Sequence, residues 1–306
     1  GIAVGWNLHN EKFYKNLAVT NILSSVKPRI SYGVNGNASG IGNYDVQGGY
    51  GSQGNYNGGL GFLNTLPVNQ KLTWEKSTTT DIGLDLGILN NKVTIIFDYF
   101  KRLNSDILQS LVLPGYTGFG GITTNNGELE NKGYEFTVNA NILKTKSGIN
   151  LDVSGNIAFV KNKITKLPFN GNENNRQGGF QIYDPTAGKV IWVSGLQEGQ
   201  PLGAVYAYKQ LSIFQDAAEI VKVANNRYDA VALISGPGLT SGLGKITPGD
   251  VNWMDVDKND TIDSRDQVYV GNINPKFTGG FSTTLSYKGF SLYTRWDFAV
   301  GHILYN

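Results

Sequence analysis

The chain has 306 residues and a net charge of +2, so no broad electrostatic attraction to nucleic acid or anionic lipid is expected. It contains no cysteine, which excludes disulfides and thiolate metal centres. With 40 glycines, 11% aromatic residues and only 16% charged ones, it has the composition of strands and turns rather than helices.

No apolar run approaches the ~20 residues that a membrane helix needs. A membrane β-barrel would show the same absence, because only half of each strand is apolar. The chain opens at Gly1 with no signal peptide. Ile2-Ala3-Val4 reads as a strand already in progress, near residues 1–7. A second strand is expected near 25–36. The Gly/Asn/Tyr-rich stretch 33–64 reads as a long extracellular loop between strands.

The clearest signal starts near residue 70. Ile82, Leu84, Leu86 and Ile88 alternate with Gly83, Asp85 and Gly87, the period of a strand with one apolar and one polar face. Val93, Ile95, Phe97 and Tyr99 continue the apolar face, opposite Thr94, Ile96 and Asp98. Asn90-Asn91 between them suits a two-residue turn, since Asn tolerates positive φ. That turn pairs Leu89 with Lys92 and Ile88 with Val93. Tyr134, Phe136, Val138, Ala140 and Ile142 form the next apolar face, against Glu135, Thr137, Asn139 and Asn141. A turn near Thr145-Lys146 leads to Ile149, Leu151, Val153, Ile157 and Phe159, opposite Asn150, Asp152, Ser154 and Asn156. A further strand is expected near 203–215. The last hairpin runs through Phe277, Phe281 and Leu285, turns at Lys288-Gly289, and returns through Leu292, Trp296 and Phe298.

A soluble β-sandwich also alternates. Three features favour a transmembrane antiparallel β-barrel, an all-β fold. The strands are about ten residues long, matching the ~9–11 that cross a bilayer with tilt. The polar faces are small and hydrogen-bonding, as a wet lumen requires. Connections at 90–91, 145–146 and 288–289 are tight, while 101–133 and 160–275 are long. Short periplasmic turns and long extracellular loops are the habit of outer-membrane barrels. Trp74, Tyr99, Tyr134 and Phe159 at the long-loop end, and Tyr287 and Phe290 at a short turn, read as interfacial girdles. Eight or nine strands are expected, compatible with a small closed barrel. Both ends look cut, so the whole of 1–306 is expected to be one segment of a longer barrel.

Residues 255–266 carry oxygen ligands at calcium-loop spacing: Asp255, Asp257, Asn259, Thr261, Asp263 and Asp266 at positions 1, 3, 5, 7, 9 and 12. Apolar Ile262 follows at position 8. Two positions depart from the pattern: Asp260 replaces the glycine of position 6, and Asp266 is shorter than the usual Glu. A structural calcium that stiffens an extracellular loop is expected. A solvated Asx-rich turn without an ion is the alternative.

Several blocks together resemble one family. Pro248 to Asp257, continuing through Ile262-Asp263-Ser264-Arg265-Asp266, is similar to a recurrent segment of the SusC/RagA-type TonB-dependent transporters of Bacteroidetes. Asn274-Pro275-Lys276-Phe277-Thr278-Gly279-Gly280-Phe281 and Tyr287-Lys288-Gly289-Phe290 follow at matching spacings. Leu72-Thr73-Trp74-Glu75-Lys76, Asp98-Tyr99-Phe100-Lys101-Arg102, Asn126 to Glu135 and Gly199-Gln200-Pro201-Leu202-Gly203 agree. The resemblance implies a 22-stranded outer-membrane barrel with an N-terminal plug, of which this chain holds the later part without plug or final strands. It also implies a SusD-like surface lipoprotein partner, energisation by TonB-ExbB-ExbD, and dimers of transporter–lipoprotein pairs. The implied substrate is a glycan or oligosaccharide, sometimes a peptide. No substrate-binding residue carries over, because the family's ligand contacts lie on variable loops and the plug.

An enzyme is not expected, and no redox or nucleotide cofactor. The only histidines, His9 and His302, lie near strand ends. Asp85, Asp98, Glu135 and Asp152 on the polar faces are what any wet lumen would carry. Gly244-Lys245 fails as a phosphate loop, with Leu239 and Ile246 at the positions needing Gly and Ser/Thr. A passive porin or an adhesin remains the other reading.

Overall fold

The computed structural model describes residues 1–220, 248–259 and 262–304. They divide into two compact units: Gly1–Asn175 with Glu198–Pro201 and Pro275–Val300, and Arg176–Gln197 with Leu202–Asn274 and Gly301–Asn306.

The first unit is built on one sheet. Its strands are β1 (Ile2–Gly5), β2 (Leu23–Asn37), β5 (Glu75–Ile88), β6 (Val93–Val112), β7 (Gly121–Lys144), β8 (Asn150–Lys166), β15 (Phe277–Tyr287) and β16 (Phe290–Val300). They lie side by side in that order, every pair antiparallel. β1 and β16 are the two edges of the sheet. β3 (Gly49–Tyr56) and β4 (Gly59–Leu66) form a separate hairpin.

The register explains why the alternation matters. Ile30, Ile82, Tyr99, Tyr134 and Phe159 are successive cross-strand partners, so they share one face. Arg29, Gly83, Asp98, Glu135, Ala158 and Thr278 are partners in the adjoining row, on the other face. A slip of one residue would exchange the two faces. The apolar face is uncovered: Ile82 is 48% exposed, Phe136 40%, Leu285 42% and Trp296 61%. A band of that size cannot face water and calls for hydrocarbon.

The turns behave as their residues require. Asn90 and Asn91 take φ of 58° and 61° and Ile88 pairs with Val93, but Leu89 also turns to φ 52°, so the turn spans 89–92 and Leu89 is not paired with Lys92 in the ladder. Lys288 and Gly289 take φ of 46° and 87°, closing Tyr287 onto Phe290. The third turn is longer than its sequence signal. It runs over 145–149, with Thr145 N–H donating to the Ile149 carbonyl at 2.9 Å.

Three sequence expectations need correction. The long connection read over 101–133 is mostly strand: the strands expected near 92–109 and 128–144 run farther, β6 to Val112 and β7 from Gly121. A bulge near Asp106, at φ 56°, shifts the register there and breaks the period-2 signal. The Gly-rich stretch 33–64 likewise contains the end of β2 and most of the β3–β4 hairpin. The strand expected near 203–215 is not in the wall. It splits into β11 (Ala204–Tyr208) and β12 (Gln210–Ile213) of the second unit.

That second unit occupies most of the stretch read as the long loop 160–275. β9 (Phe180–Asp184) pairs with β10 (Lys189–Val193), β11 with β14 (Gln267–Asn272), and β12 with β13 (Val251–Trp253). Unlike the wall, it packs inward, burying Ile182, Val193, Val205, Phe214, Val256 and Ile262.

The face assignment has a direct test. Phe136 pairs with Phe97, halfway between the short turn and Lys101. Phe136→Arg should cost ~2–4 kcal/mol of unfolding free energy in lipid vesicles, the penalty for a charge at mid-bilayer. Thr137→Arg, one residue along and on the polar face, should cost little. Equal costs would refute the assignment.

Candidate functional site

Two constellations carry polar chemistry, one in each unit. The first stands on the polar face of the wall. Arg29 of β2 reaches across β5 toward β6. Its Nη2 lies 2.6 Å from Asp98 Oδ1, its Nε 3.0 Å from Asp85 Oδ1 and its Nη1 3.2 Å from Asp81 Oδ1. One planar guanidinium, with five donors in a fixed fork, serves three carboxylates at once. The reach depends on Gly83. A Cβ there would stand 2.5 Å from Arg29 Cζ and 2.6 Å from Asp98 Oδ1. Asp98 is also directly opposite Glu135, so carboxylates outnumber cations in this part of the wall. Asp85, Asp98 and Glu135 were legible as polar-face carboxylates, but Arg29 and Asp81 were not singled out. The usable signal is Asp81-x-Gly83-x-Asp85, two acids flanking a side-chain-free position on one face.

Toward the short turns the polar face becomes a ladder of amides and hydroxyls. Asn141 Nδ2 donates to Asn150 Oδ1 at 2.9 Å and to Asp152 Oδ1 at 2.7 Å. Ser154 Oγ donates to Asn139 Oδ1 at 2.6 Å. Asn139, Asn141, Asp152 and Ser154, with Thr94, Ser282 and Thr284, line a shallow groove of about 220 Å³. Nearby, Arg295 and Asp297 form an exposed ion pair at 3.0 Å.

The second constellation is the acidic loop. Carboxylate oxygens of Asp255, Asp257 and Asp266 all lie within 4.8 Å of one another. Asp266 is fully buried, and its Oδ1 and Oδ2 accept from Val256 N–H at 2.7 Å and Asp263 N–H at 2.8 Å. Burial pushes the Asp266 carboxyl above the usual range, and the neighbouring Asp255 and Asp257 add to the rise. Burial likewise raises Asp257. Asp263 does not join the three. Its carboxylate accepts from Arg265 N–H at 2.7 Å, capping a single helical turn at Ser264–Asp266. Asn259 donates its side-chain amide to Asp257 at 3.0 Å. Thr261 lies outside the described residues, as do Gly244 and Lys245. Val256 and Ile262 anchor the loop in the core of its unit.

Neither histidine joins a constellation. His9 Nδ1 lies 3.1 Å from the Val26 carbonyl oxygen. His302 follows β16, its Nδ1 buried without a hydrogen-bond partner among the described residues.

No family model matches the chain. Curated relatives do. TonB-dependent receptor P3 of Formosa agariphila is 30% identical over 309 residues, covering 99% of this chain and 28% of the relative. TonB-dependent receptor SusC of Bacteroides thetaiotaomicron is 33% identical over 223 residues, covering 69% of this chain and 21% of the relative. Along its whole length the chain is similar to TonB-dependent receptors, SusC among them. Its strands are therefore outer-membrane barrel wall, and its apolar face is the lipid face. It spans 28–29% of the length of the Formosa receptors P3 and P39. Among solved structures it is similar to the RagAB peptide importer in the "closed-closed" state, with a TM-score of 0.64 and 24% identity over 98% of this chain and 29% of that one. At that identity the likeness speaks for the fold alone.

The Arg29 cluster predicts a specific glycine requirement. Gly83→Ala should cost ~1–3 kcal/mol, as overpacking does. Gly155→Ala, whose Cβ would meet nothing closer than 3.7 Å, should be near neutral. Equilibrium unfolding of the natural full-length protein in lipid vesicles would separate the two.

Proposed function

We propose that this chain is part of an active importer in the bacterial outer membrane. In this reading TonB-ExbB-ExbD drives it, a SusD-like surface lipoprotein covers it, and two such pairs assemble together. One observation carries the reading: similarity to TonB-dependent receptors over 99% of the chain, in a single ordered alignment. The substrate read here is a glycan or oligosaccharide. The ladder of Asn, Ser and Thr both donates and accepts hydrogen bonds, which suits a neutral, hydroxyl-rich solute. A peptide is the second reading, favoured by the surplus of carboxylates around Arg29, which would attract basic side chains.

The natural protein, extracted gently from its own membrane, should bring down a lipoprotein in equal amount, identified by mass spectrometry. A barrel isolated alone would count against the partnership. Deleting the gene should abolish growth on a polysaccharide as sole carbon source and spare growth on peptides. The reverse pattern would select the second substrate.

We also propose that the acidic loop takes calcium through Asp255, Asp257 and Asp266, with Asn259, Thr261 and Asp263 at the remaining loop positions. Three converging carboxylates, two of them buried, repel one another without a cation. Asp266 already accepts two backbone N–H groups, so it would bind through its remaining lone pairs. Calorimetry of the full-length protein should show one calcium site that Asp257→Ala removes. Asp263→Ala should weaken the site less, because Asp263 caps the turn. A parent that takes up no calcium, or an Asp257→Ala variant identical to it, would end the proposal.

A further inference from the structure

The register of the wall gathers four lysines on the lipid face. Tyr99, Tyr134 and Phe159 are cross-strand neighbours there. Two residues farther from the short turns, the neighbours are Lys101, Lys132 and Lys161. Lys163 stands one step beyond on β8, opposite Glu130. Glu130 is the one carboxylate among them, 2.9 Å from Lys101 Nζ and 3.8 Å from Lys132 Nζ. Lys161 and Lys163 are exposed and form no ion pair among the described residues. Four ammonium groups against one carboxylate leave three positive charges across three adjacent strands.

Surrounding residues do not offset that excess. In the same row, Lys101 meets Thr80 on β5, Thr80 meets Tyr32 on β2, and Tyr32 meets Ile2 on β1. Opposite Glu130 on β6 is Leu103. The next carboxylate up β7, Glu128, is opposite Lys166, and Asp106 is held by Lys76 at 2.9 Å. The positive charge is thus local, in a chain whose overall charge is nearly balanced. Like charges directly opposite across strands repel, and one glutamate cannot relieve four lysines.

Depth gives the cluster a meaning. Val93 starts β6 at the short turn, and Lys101 is the ninth residue of that strand. About 9–11 strand residues cross the hydrocarbon layer. The aromatic row marks its boundary, and the lysine row lies ~7 Å farther along the strands. There the lysine stems can lie on apolar surface while their ammonium groups reach the phosphate level. Short turns are periplasmic, which puts this row at the outer leaflet.

We propose that Lys101, Lys132, Lys161 and Lys163 bind the phosphate of a phosphorylated glycolipid of the outer leaflet. The site is on the outside of the wall, away from any transport path. It rests on the outer-membrane placement and on no assumption about the imported solute. Lysines suit the role because they act as mobile point charges on a phosphate that can approach in several poses. The Glu130 carboxylate holds Lys101 and Lys132 near each other in the lipid-free wall, so that they stand ready for a phosphate.

The test uses the natural full-length protein in detergent micelles, titrated with monophosphoryl lipid A and followed by native mass spectrometry. The same lipid without its phosphate is the control. The parent should retain the phosphorylated lipid and release it as salt rises. Lys161→Gln with Lys163→Gln should weaken retention by about fivefold per lysine removed. That pair leaves the Glu130 ion pairs intact, so folding is not at stake, and heat-dependent gel migration would verify it. Adding Lys101→Gln and Lys132→Gln should weaken retention further. Equal retention by parent and variants would overturn the proposal, as would equal retention of the phosphate-free lipid. Displacement by millimolar inorganic phosphate would show a free-anion site and overturn the lipid assignment.

Discussion

Inside a bilayer no water is available to a peptide N–H or carbonyl, and each unpaired group costs several kcal/mol. A strand can satisfy its own groups only through its neighbours, which imposes the antiparallel ladder from β1 to β16. Once the ladder is fixed, side chains have only two directions. The same pairing that satisfies Asp98 N–H and carbonyl assigns Tyr99 to the lipid face and the Asp98 carboxylate to the polar one. The guanidinium of Arg29, the amide ladder around Asn141 and the lysines beyond Tyr99 all follow from that choice of register.

The two units show opposite solutions to burying apolar surface. The wall turns Ile82, Phe136 and Trp296 outward, and its hydrophobic contacts are completed by lipid. The second unit buries Ile182, Phe214, Val256 and Ile262 against one another, as a water-exposed insertion must. Its acidic loop combines both needs. Val256 and Ile262 fix the loop by burial, and that burial brings Asp255, Asp257 and Asp266 together against their mutual repulsion.

Sequence reading succeeded where one residue's chemistry decides one geometry. Asn90-Asn91 and Lys288-Gly289 announced their turns through tolerance of positive φ, and the alternation of Val93 to Tyr99 set the faces. It failed beyond the bilayer. There both faces of a strand meet water or polar neighbours, so the strand expected near 92–109 stopped short of Val112, and the one expected near 128–144 began late, missing 121–127 of β7. The bulge at Asp106 then removes what periodicity is left. In the acidic loop, spacing identified six oxygen-bearing residues but not which of them converge. Asp263 is drawn off by the cap of a turn one residue later, a competition that spacing alone does not encode.

β6 and β7 run to 20 and 24 residues, roughly twice what a membrane crossing uses. The hairpin therefore stands as a paired ribbon well above the lipid, narrowing only at residues 113–120. Whatever meets that tip meets backbone already ordered, and little conformational freedom is lost on contact. A push at the tip is also carried down the paired strands, through the bulge at Asp106, to the residues that hold Asp98 and Glu135, as a mast carries the load of its sail into the hull.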